Sequence, residues 1–173
     1  GIHSALGLGP SHKTVEKNEV FIVDSISNFE GYHVETTRSF VFGAPGDEVK
    51  RHYNKLLEIF DYLKSLLKPG MLCSEIYIKT FEKVEKMGYI NHFMGIGTEK
   101  FNWLGHGLGI EADEYPLISK DFDICLEPGM TLALKPKFYF ENWGGLGLET
   151  TFQITEKGYE AFTDLSDELI IIK

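Results

Sequence analysis

Apolar positions follow a strand-like pattern near both ends of the chain and a helical pattern between them. Residues 19–24 form an apolar run and alternation resumes over residues 32–42, which together predict a β-hairpin. Apolar residues then recur at helical spacing over residues 46–67, and again from Ser74, a suitable N-cap, to Gly88, a suitable terminator. The second helix is expected to bury a stripe made of Ile78, Phe81 and Val84.

The first predicted hairpin places two acids on one face. Turn residues occupy 28–31, and with Ser27 facing Tyr32 the register sets Asp24 directly opposite Glu35. Like charges that face each other across an antiparallel pair are destabilising, so this pair would need a cation or a proton between them. Two solvated surface acids are the alternative, but Asp24 closes an apolar run, which favours a site.

Two strands near the other end of the chain predict a second hairpin. They cover residues 131–135 and 146–154, and residues 169–172 predict a short closing strand. In the register that we expect for this hairpin, Lys135 faces Glu149. An ordinary cross-strand ion pair would explain that couple.

Length, composition and charge limit the classes of function. The chain has 173 residues, 43% of them hydrophobic, which is enough for one domain over residues 1–173. Its net charge of -9 would repel a phosphate backbone, so nucleic acid is a poor partner. No apolar run approaches the roughly 18 residues of a membrane span, so we expect a soluble, cytoplasmic protein. Two cysteines, Cys73 and Cys125, are too few for a disulfide framework. The composition of residues 1–18 predicts a loop or short strand.

Residues 105–116 have the composition of a site. They contain His106 between two glycines, followed by three acids, and glycine would let the backbone come close to whatever the ring contacts. The alternative is a glycine-rich turn with an exposed histidine. Residues 91–103 are rich in glycine and aromatics, and His92 and Phe93 either line a pocket or simply pack in a loop.

Several motifs occur together and in a characteristic order. Asp24 precedes a second acid, Glu35, by eleven positions, and the further motifs are Gly31-Tyr32, Thr37-Arg38, the Gly-His-Gly-x-Gly run at 105–109, Leu126-Glu127-Pro128-Gly129-Met130, Pro136-Lys137 and Gly147-Leu148-Glu149-Thr150-Thr151. This order resembles the pita-bread metallopeptidases, which include Xaa-Pro aminopeptidases, prolidases, methionine aminopeptidases and creatinase. The likeness is strongest to the Xaa-Pro peptidase branch.

The resemblance implies an α/β (α+β) pita-bread fold, a pseudo-twofold curved antiparallel sheet covered by helices. It also implies two divalent metal ions held by two aspartates, a histidine and two glutamates. Carried over by position, these ligands fall on Asp24, Glu35, His106, Lys135 and Glu149. The family's domain usually has helical sequence before the first hairpin. We therefore expect an N-terminally truncated form whose sheet is covered by a missing segment or by a second copy in a homodimer.

Three of the family's functional positions differ in this chain. Glu35 is a longer acid than the usual aspartate, Lys135 cannot be a ligand while protonated, and Asp113 stands where a substrate-contacting histidine usually lies. Three carboxylates and one ammonium leave two negative charges, enough to neutralise one divalent ion. We expect at most one metal ion (Mn, Co or Zn), and a site with none is the alternative, with Lys135 standing where a second ion would lie.

Two functions remain open at this point. The first is hydrolysis of C–N bonds in small peptide-like substrates, with His106, Glu35 and Glu149 as the catalytic groups and His92 and Asp113 contacting the substrate. The second is a non-catalytic relative that binds a peptide or a partner protein in the retained pocket.

Overall fold

The computed structural model describes residues 12–141 and 143–173, so most of the predicted N-terminal loop or strand lies outside the described residues. In chain order the elements are β1 (Val20–Phe29), β2 (Tyr32–Phe42), α1 (Asp47–Ser65), α2 (Cys73–Lys86), β3 (Gly95–Ile96), β4 (Glu99–Lys100), β5 (Trp103–Gly107), β6 (Glu114–Ser119), β7 (Thr131–Leu134), β8 (Lys137–Phe140), β9 (Gly144–Gly147), β10 (Glu149–Thr155), β11 (Gly158–Ala161) and β12 (Ile170–Ile172).

The large sheet has the strand order β1-β2-β10-β7-β5-β6, with β11 paired to β10 and β12 paired to β2. Its neighbouring strands are antiparallel, except that β12 runs parallel to β2. Strands β8 and β9 form a separate two-stranded sheet, as do β3 and β4. The order brings β10, from the second half of the chain, beside β2 from the first hairpin.

The first hairpin forms, but its predicted register is wrong by two residues. The turn is Glu30-Gly31, with positive φ at both positions, and not the four-residue loop that we expected. Asp24 therefore pairs with Thr37 instead of Glu35. Because side chains alternate between faces, a shift of two residues keeps Asp24 and Glu35 on the same face.

The second hairpin has the predicted register. Phe138 pairs with Leu146 in the small sheet, and Leu134 pairs with Thr150 in the large one. The predicted single strand is nevertheless divided at Leu148 into β9 and β10, which belong to different sheets.

Both helices form close to their predicted bounds, although details of α2 differ. Its N-cap is Leu72, because the Ser74 hydroxyl instead contacts the Asp123 carboxylate at 2.5 Å. Ile78 is 46% exposed and not part of the buried stripe. Gly88 follows the helix end with φ of +78°, as predicted.

The helices cover one face of the large sheet and form the main core with it. The ring of Phe60 on α1 lies 6.1 Å from that of Phe152 on β10. Glu149 and Thr151 alternate with these core positions and point to the opposite face. Cys73 is buried and Cys125 exposed, both as free thiols. Neither helix in the described part is long and apolar enough to cross a membrane.

Candidate functional site

Polar side chains form two neighbouring rows on the face of the sheet opposite the helices. In the first row Asp24 pairs with Thr37, and Thr37 pairs with Glu149. Lys135, the residue after β7, continues this row and contacts Glu149. Directly paired residues project to the same face, so these side chains share one surface. Glu35 lies two positions before Thr37 and belongs to the second row.

His106 completes the second row from β5, because it pairs with Ala133 on β7. Its side chain is 1% exposed, so the alternative of an exposed turn histidine is wrong. The ring Nδ1 lies 2.9 Å from the Gly107 carbonyl and donates to it when it carries the proton. Nε2 then faces the site, 3.5 Å from Glu35 Oε2 and 3.2 Å from the exposed Asp113 Oδ1.

The two glycines around His106 make room for neighbouring strands. A Cβ at Gly105 would lie 2.2 Å from the carbonyl oxygen of Ala133, and one at Gly107 would lie 2.4 Å from that of Tyr115. The sequence pattern therefore identified a real close approach, but the approaching groups are the backbones of β7 and β6.

One ammonium joins two buried carboxylates at the centre of the site. Lys135 Nζ lies 2.8 Å from Glu35 Oε2 and 3.1 Å from Glu149 Oε1, and both acids are buried. The Thr37 hydroxyl donates to the other oxygen of Glu149 at 2.5 Å. The indole ring of Trp103 lies 5.1 Å from the same ammonium. The predicted contact of Lys135 with Glu149 is thus present, as part of a larger cluster.

The environment favours charged forms for Glu35 and Lys135. Burial alone would raise the pKa of Glu35, but hydrogen bonds and the Lys135 ammonium outweigh it and lower that pKa. Burial alone would lower the pKa of Lys135, but the carboxylates of Glu149 and Glu35 raise it on balance. The pKa of Glu149 is raised, chiefly by burial.

The same negative environment stabilises the protonated form of His106. Burial lowers its pKa, but contact with the Glu35 carboxylate outweighs that effect and raises the pKa on balance. When His106 is protonated and Glu149 is ionised, the charges of His106 and Lys135 balance the carboxylates of Glu35 and Glu149. The buried cluster then needs no further ion for neutrality.

Three side chains of the cluster could hold a metal ion. One atom each from Glu35, His106 and Glu149 lie within 4.8 Å of one another. His106 Nε2 and Glu149 Oε1 make no well-aligned hydrogen bond among the described residues, although Asp113 lies close to the first atom and the Lys135 ammonium to the second. The Lys135 ammonium contacts two of these three residues.

Asp24, predicted as a further ligand, stands outside this three-residue group. Its carboxylate lies 2.9 Å from Lys137 Nζ. Among the described residues, Asp24 therefore has a lysine as its partner and is not grouped with the other three donors. Lys137 was not predicted as a site residue, and it lies on β8 in the separate small sheet.

The structure does not bring His92 into the cluster. Its ring stacks on Phe140 and lines a cavity of about 780 Å³ together with His52 and Trp143. The cavity lies between α1, the β3–β4 hairpin with the segment before it, and the end of β8, and none of its described lining residues belongs to the cluster. Of the two predicted substrate contacts, Asp113 alone lies beside His106.

Comparison with known proteins places this geometry in a family. The chain matches the model of metallopeptidase family M24 over residues 1–156. It is 31% identical over 171 residues to the Xaa-Pro dipeptidase of Pyrococcus furiosus, covering 98% of this chain and 47% of that protein. It is 30% identical over 164 residues to the Xaa-Pro dipeptidase of Lactobacillus delbrueckii subsp. lactis, covering 95% and 43%.

Solved structures give the same result. The chain is similar to the X-Pro aminopeptidase from Thermotoga maritima MSB8, with a TM-score of 0.89 and 29% identity over 98% of this chain and 46% of that one. The chain thus spans less than half the length of these relatives. The predicted pita-bread fold is confirmed, and the chain belongs to metallopeptidase family M24, in its Xaa-Pro peptidase branch.

Proposed function

We propose that this chain is an Xaa-Pro-peptidase-like domain that does not carry out two-metal hydrolysis. The contact of the Lys135 ammonium with both Glu35 and Glu149 is the observation that supports this proposal. Two-metal hydrolases use paired ions to activate water and to stabilise charge on the reacting group. Here one ammonium already contacts two of the carboxylates on which such ions depend, and offsets one of their two negative charges.

The proposed cofactor is at most one divalent ion, Mn, Co or Zn. Glu35, His106 and Glu149 would hold it if the Lys135 ammonium moved aside. A bound ion would supply Lewis-acid polarisation of a carbonyl. The protein's own contribution is proton handling: His106 Nε2 lies next to Glu35 and Asp113, either of which could exchange a proton with it.

Binding without catalysis is the second candidate. Glu35 and Glu149 are buried and share an ammonium, so neither is free to act as a base on a substrate. A small peptide-like ligand or a partner protein would then contact the exposed edge of the site, where Asp113 is 76% exposed. A homodimer and a cytoplasmic location stay predictions.

Metal content tests the first part of the proposal. The full chain is stripped with chelator, incubated with Mn²⁺ or Co²⁺, desalted and analysed by elemental mass spectrometry. The matched control is Lys135→Arg, which keeps a cation at this position. We expect at most one ion per chain in both proteins, whereas two ions per chain in the unmodified protein would contradict the proposal.

Peptide assays separate hydrolysis from binding. Xaa-Pro dipeptides are incubated with the metal-free and the metal-treated protein, and release of proline is measured together with the melting temperature. A ligand that binds the native state raises the melting temperature as its concentration rises. Such a rise without turnover supports the binding function; turnover that requires two ions contradicts the proposal.

A further inference from the structure

A second ammonium, that of Lys137 on β8 of the small sheet, lies beside the row of polar side chains on the large sheet. Lys137 Nζ is 2.9 Å from Asp24 Oδ2, and the Lys137 side chain is only 11% exposed. Asp24 stands in the same row as Glu149, with Thr37 between them. The ion pair therefore borders the buried cluster directly.

The surrounding residues form a built position for the Lys137 side chain. Gly147 pairs with Lys137 across the β8–β9 hairpin. A Cβ at Gly147 would lie 3.2 Å from Lys137 Cγ, 3.3 Å from Ile22 Cδ1 and 3.4 Å from Thr37 Cγ2. The aliphatic part of Lys137 thus runs through a narrow space that glycine leaves open, which holds its ammonium at Asp24.

The two lysines divide the acids of the site between them. Lys135 contacts Glu35 and Glu149, and Lys137 contacts Asp24. Each carboxylate expected to be a metal ligand therefore already has a cationic partner. If one of the two lysines is replaced, the acids that contact the other lysine keep their ion pair.

We infer that Lys137 is a second internal cation of this site, which keeps Asp24 from joining a metal-ligand set even when Lys135 is replaced. The inference rests on the proposed function, in which internal ammonium groups stand in place of two metal ions. It assigns the loss of a two-ion site to two lysines that act separately, one on the buried acids and one on Asp24.

Ion stoichiometry in a series of variants tests the inference. The series comprises the unmodified chain, K135E, K135E/K137A and K135E/K137R, each stripped, incubated with Mn²⁺ and desalted. We expect at most one ion per chain in the unmodified protein and one in K135E. K135E/K137A is expected to gain a second ion because Asp24 is released, whereas K135E/K137R keeps a cation there and is expected to stay at one.

The outcomes distinguish this inference from the proposed function. Two ions in K135E alone, or no gain from adding K137A, would overturn the role of Lys137 and leave the proposed function standing. Two ions in the unmodified chain would contradict the proposed function itself.

A second pair of variants keeps the test decisive if K135E/K137A does not fold. K135Q and K135Q/K137A remove the ammonium groups without adding a carboxylate, so they create less repulsion among the buried acids. We expect one more ion in K135Q/K137A than in K135Q, and equal stoichiometry would overturn the inference.

Discussion

The carboxylates of Glu35 and Glu149 share the ammonium of Lys135. Replacing this one lysine would therefore leave two buried acids without their cationic partner. Breaking a buried ion pair by removing one partner typically costs about 3–5 kcal/mol, because the remaining charge stays buried without a partner. We therefore expect Lys135→Met to lower the free energy of unfolding by about that amount in chelator-treated protein. Urea denaturation followed by circular dichroism measures the difference.

A surface lysine provides the control for this prediction. Lys79 pairs with Glu75 on the exposed side of α2, and exposed pairs contribute about 0–1 kcal/mol. Lys79→Met should therefore change stability little. Equal losses in Lys135→Met and Lys79→Met would show that the buried cluster does not depend on its ammonium.

His106 predicts a pH dependence of stability. Its pKa is raised in the folded state, because the Glu35 contact outweighs the opposing effect of burial. The stability that protonated His106 contributes is therefore fully present below its unfolded pKa of about 6.5 and is lost as pH rises through the folded pKa. The difference in melting temperature between the metal-free protein and His106→Gln should shrink as pH rises from about 6 to about 9.

The exposed His12 supplies the control for the pH series. Because the His12 side chain is exposed, His12→Gln should change the melting temperature little at each pH tested. A constant difference for His106→Gln would contradict the raised pKa of His106.

The closeness of β5 to β7 depends on Gly105. A Cβ there would lie 2.2 Å from the carbonyl oxygen of Ala133 and 3.1 Å from the Leu134 Cα, so one of the two strands would have to move. We expect Gly105→Ala to destabilise the protein by more than about 2 kcal/mol, in the range of severe packing changes. Denaturant unfolding measures this loss.

Gly46, the N-cap of α1, is the matched control. No described heavy atom lies within 4 Å of a Cβ at Gly46, and its φ of -63° is accessible to alanine. Gly46→Ala should therefore cost less than about 1 kcal/mol, which reflects the poorer N-cap preference of alanine and no steric clash. Similar losses at both positions would mean that the approach of β7 to β5 does not require glycine.

Turn geometry decided how much of the fold could be predicted from the sequence. The register of the second hairpin was predicted correctly, with Phe138 paired to Leu146, although its turn is shorter than the sequence suggested because Gly144 and Gly145 belong to β9. The first was wrong because Glu30, not an evident positive-φ residue, forms a two-residue turn with Gly31. The Ser74 hydroxyl was unavailable as an N-cap because Asp123, distant in sequence, accepts its hydrogen bond. Local patterns cannot reveal such tertiary contacts.

The same distinction applies to the candidate site. Ordered motifs led to His106, Glu35, Glu149 and Lys135, and the structure brings all four together. The partner of Asp24 was missed, because the ion pair with Lys137 joins β1 to a hairpin of another sheet. Strand pairing within one hairpin could not predict that contact.

Arg38 connects the chain's closing segment to the centre of the sheet. Its guanidinium is buried, and forms an ion pair with Asp167 at 3.0 Å. It also donates hydrogen bonds to the carbonyl oxygens of Leu165 and Ser166 in the closing segment, and to acceptors on Thr37, Glu149 and Thr150. The residues beside the buried cluster are thereby tied to the segment that leads into β12.

We expect Arg38→Lys to destabilise the whole domain by about 3 kcal/mol, because one ammonium cannot satisfy acceptors arranged around a planar guanidinium. Arg51→Lys is the matched control, since Arg51 is 64% exposed and lies 3.9 Å from Glu48.

Hydrogen exchange at the amides of β12, β2 and β10 distinguishes two consequences of Arg38→Lys. Faster exchange in β12 alone would mean that the closing segment detaches locally, whereas faster exchange in β2 and β10 as well would mean that Arg38 supports the sheet that carries Glu35 and Glu149. The location of Arg38 between β2 and β10 leads us to expect the second result, and unchanged exchange in both regions would contradict this role.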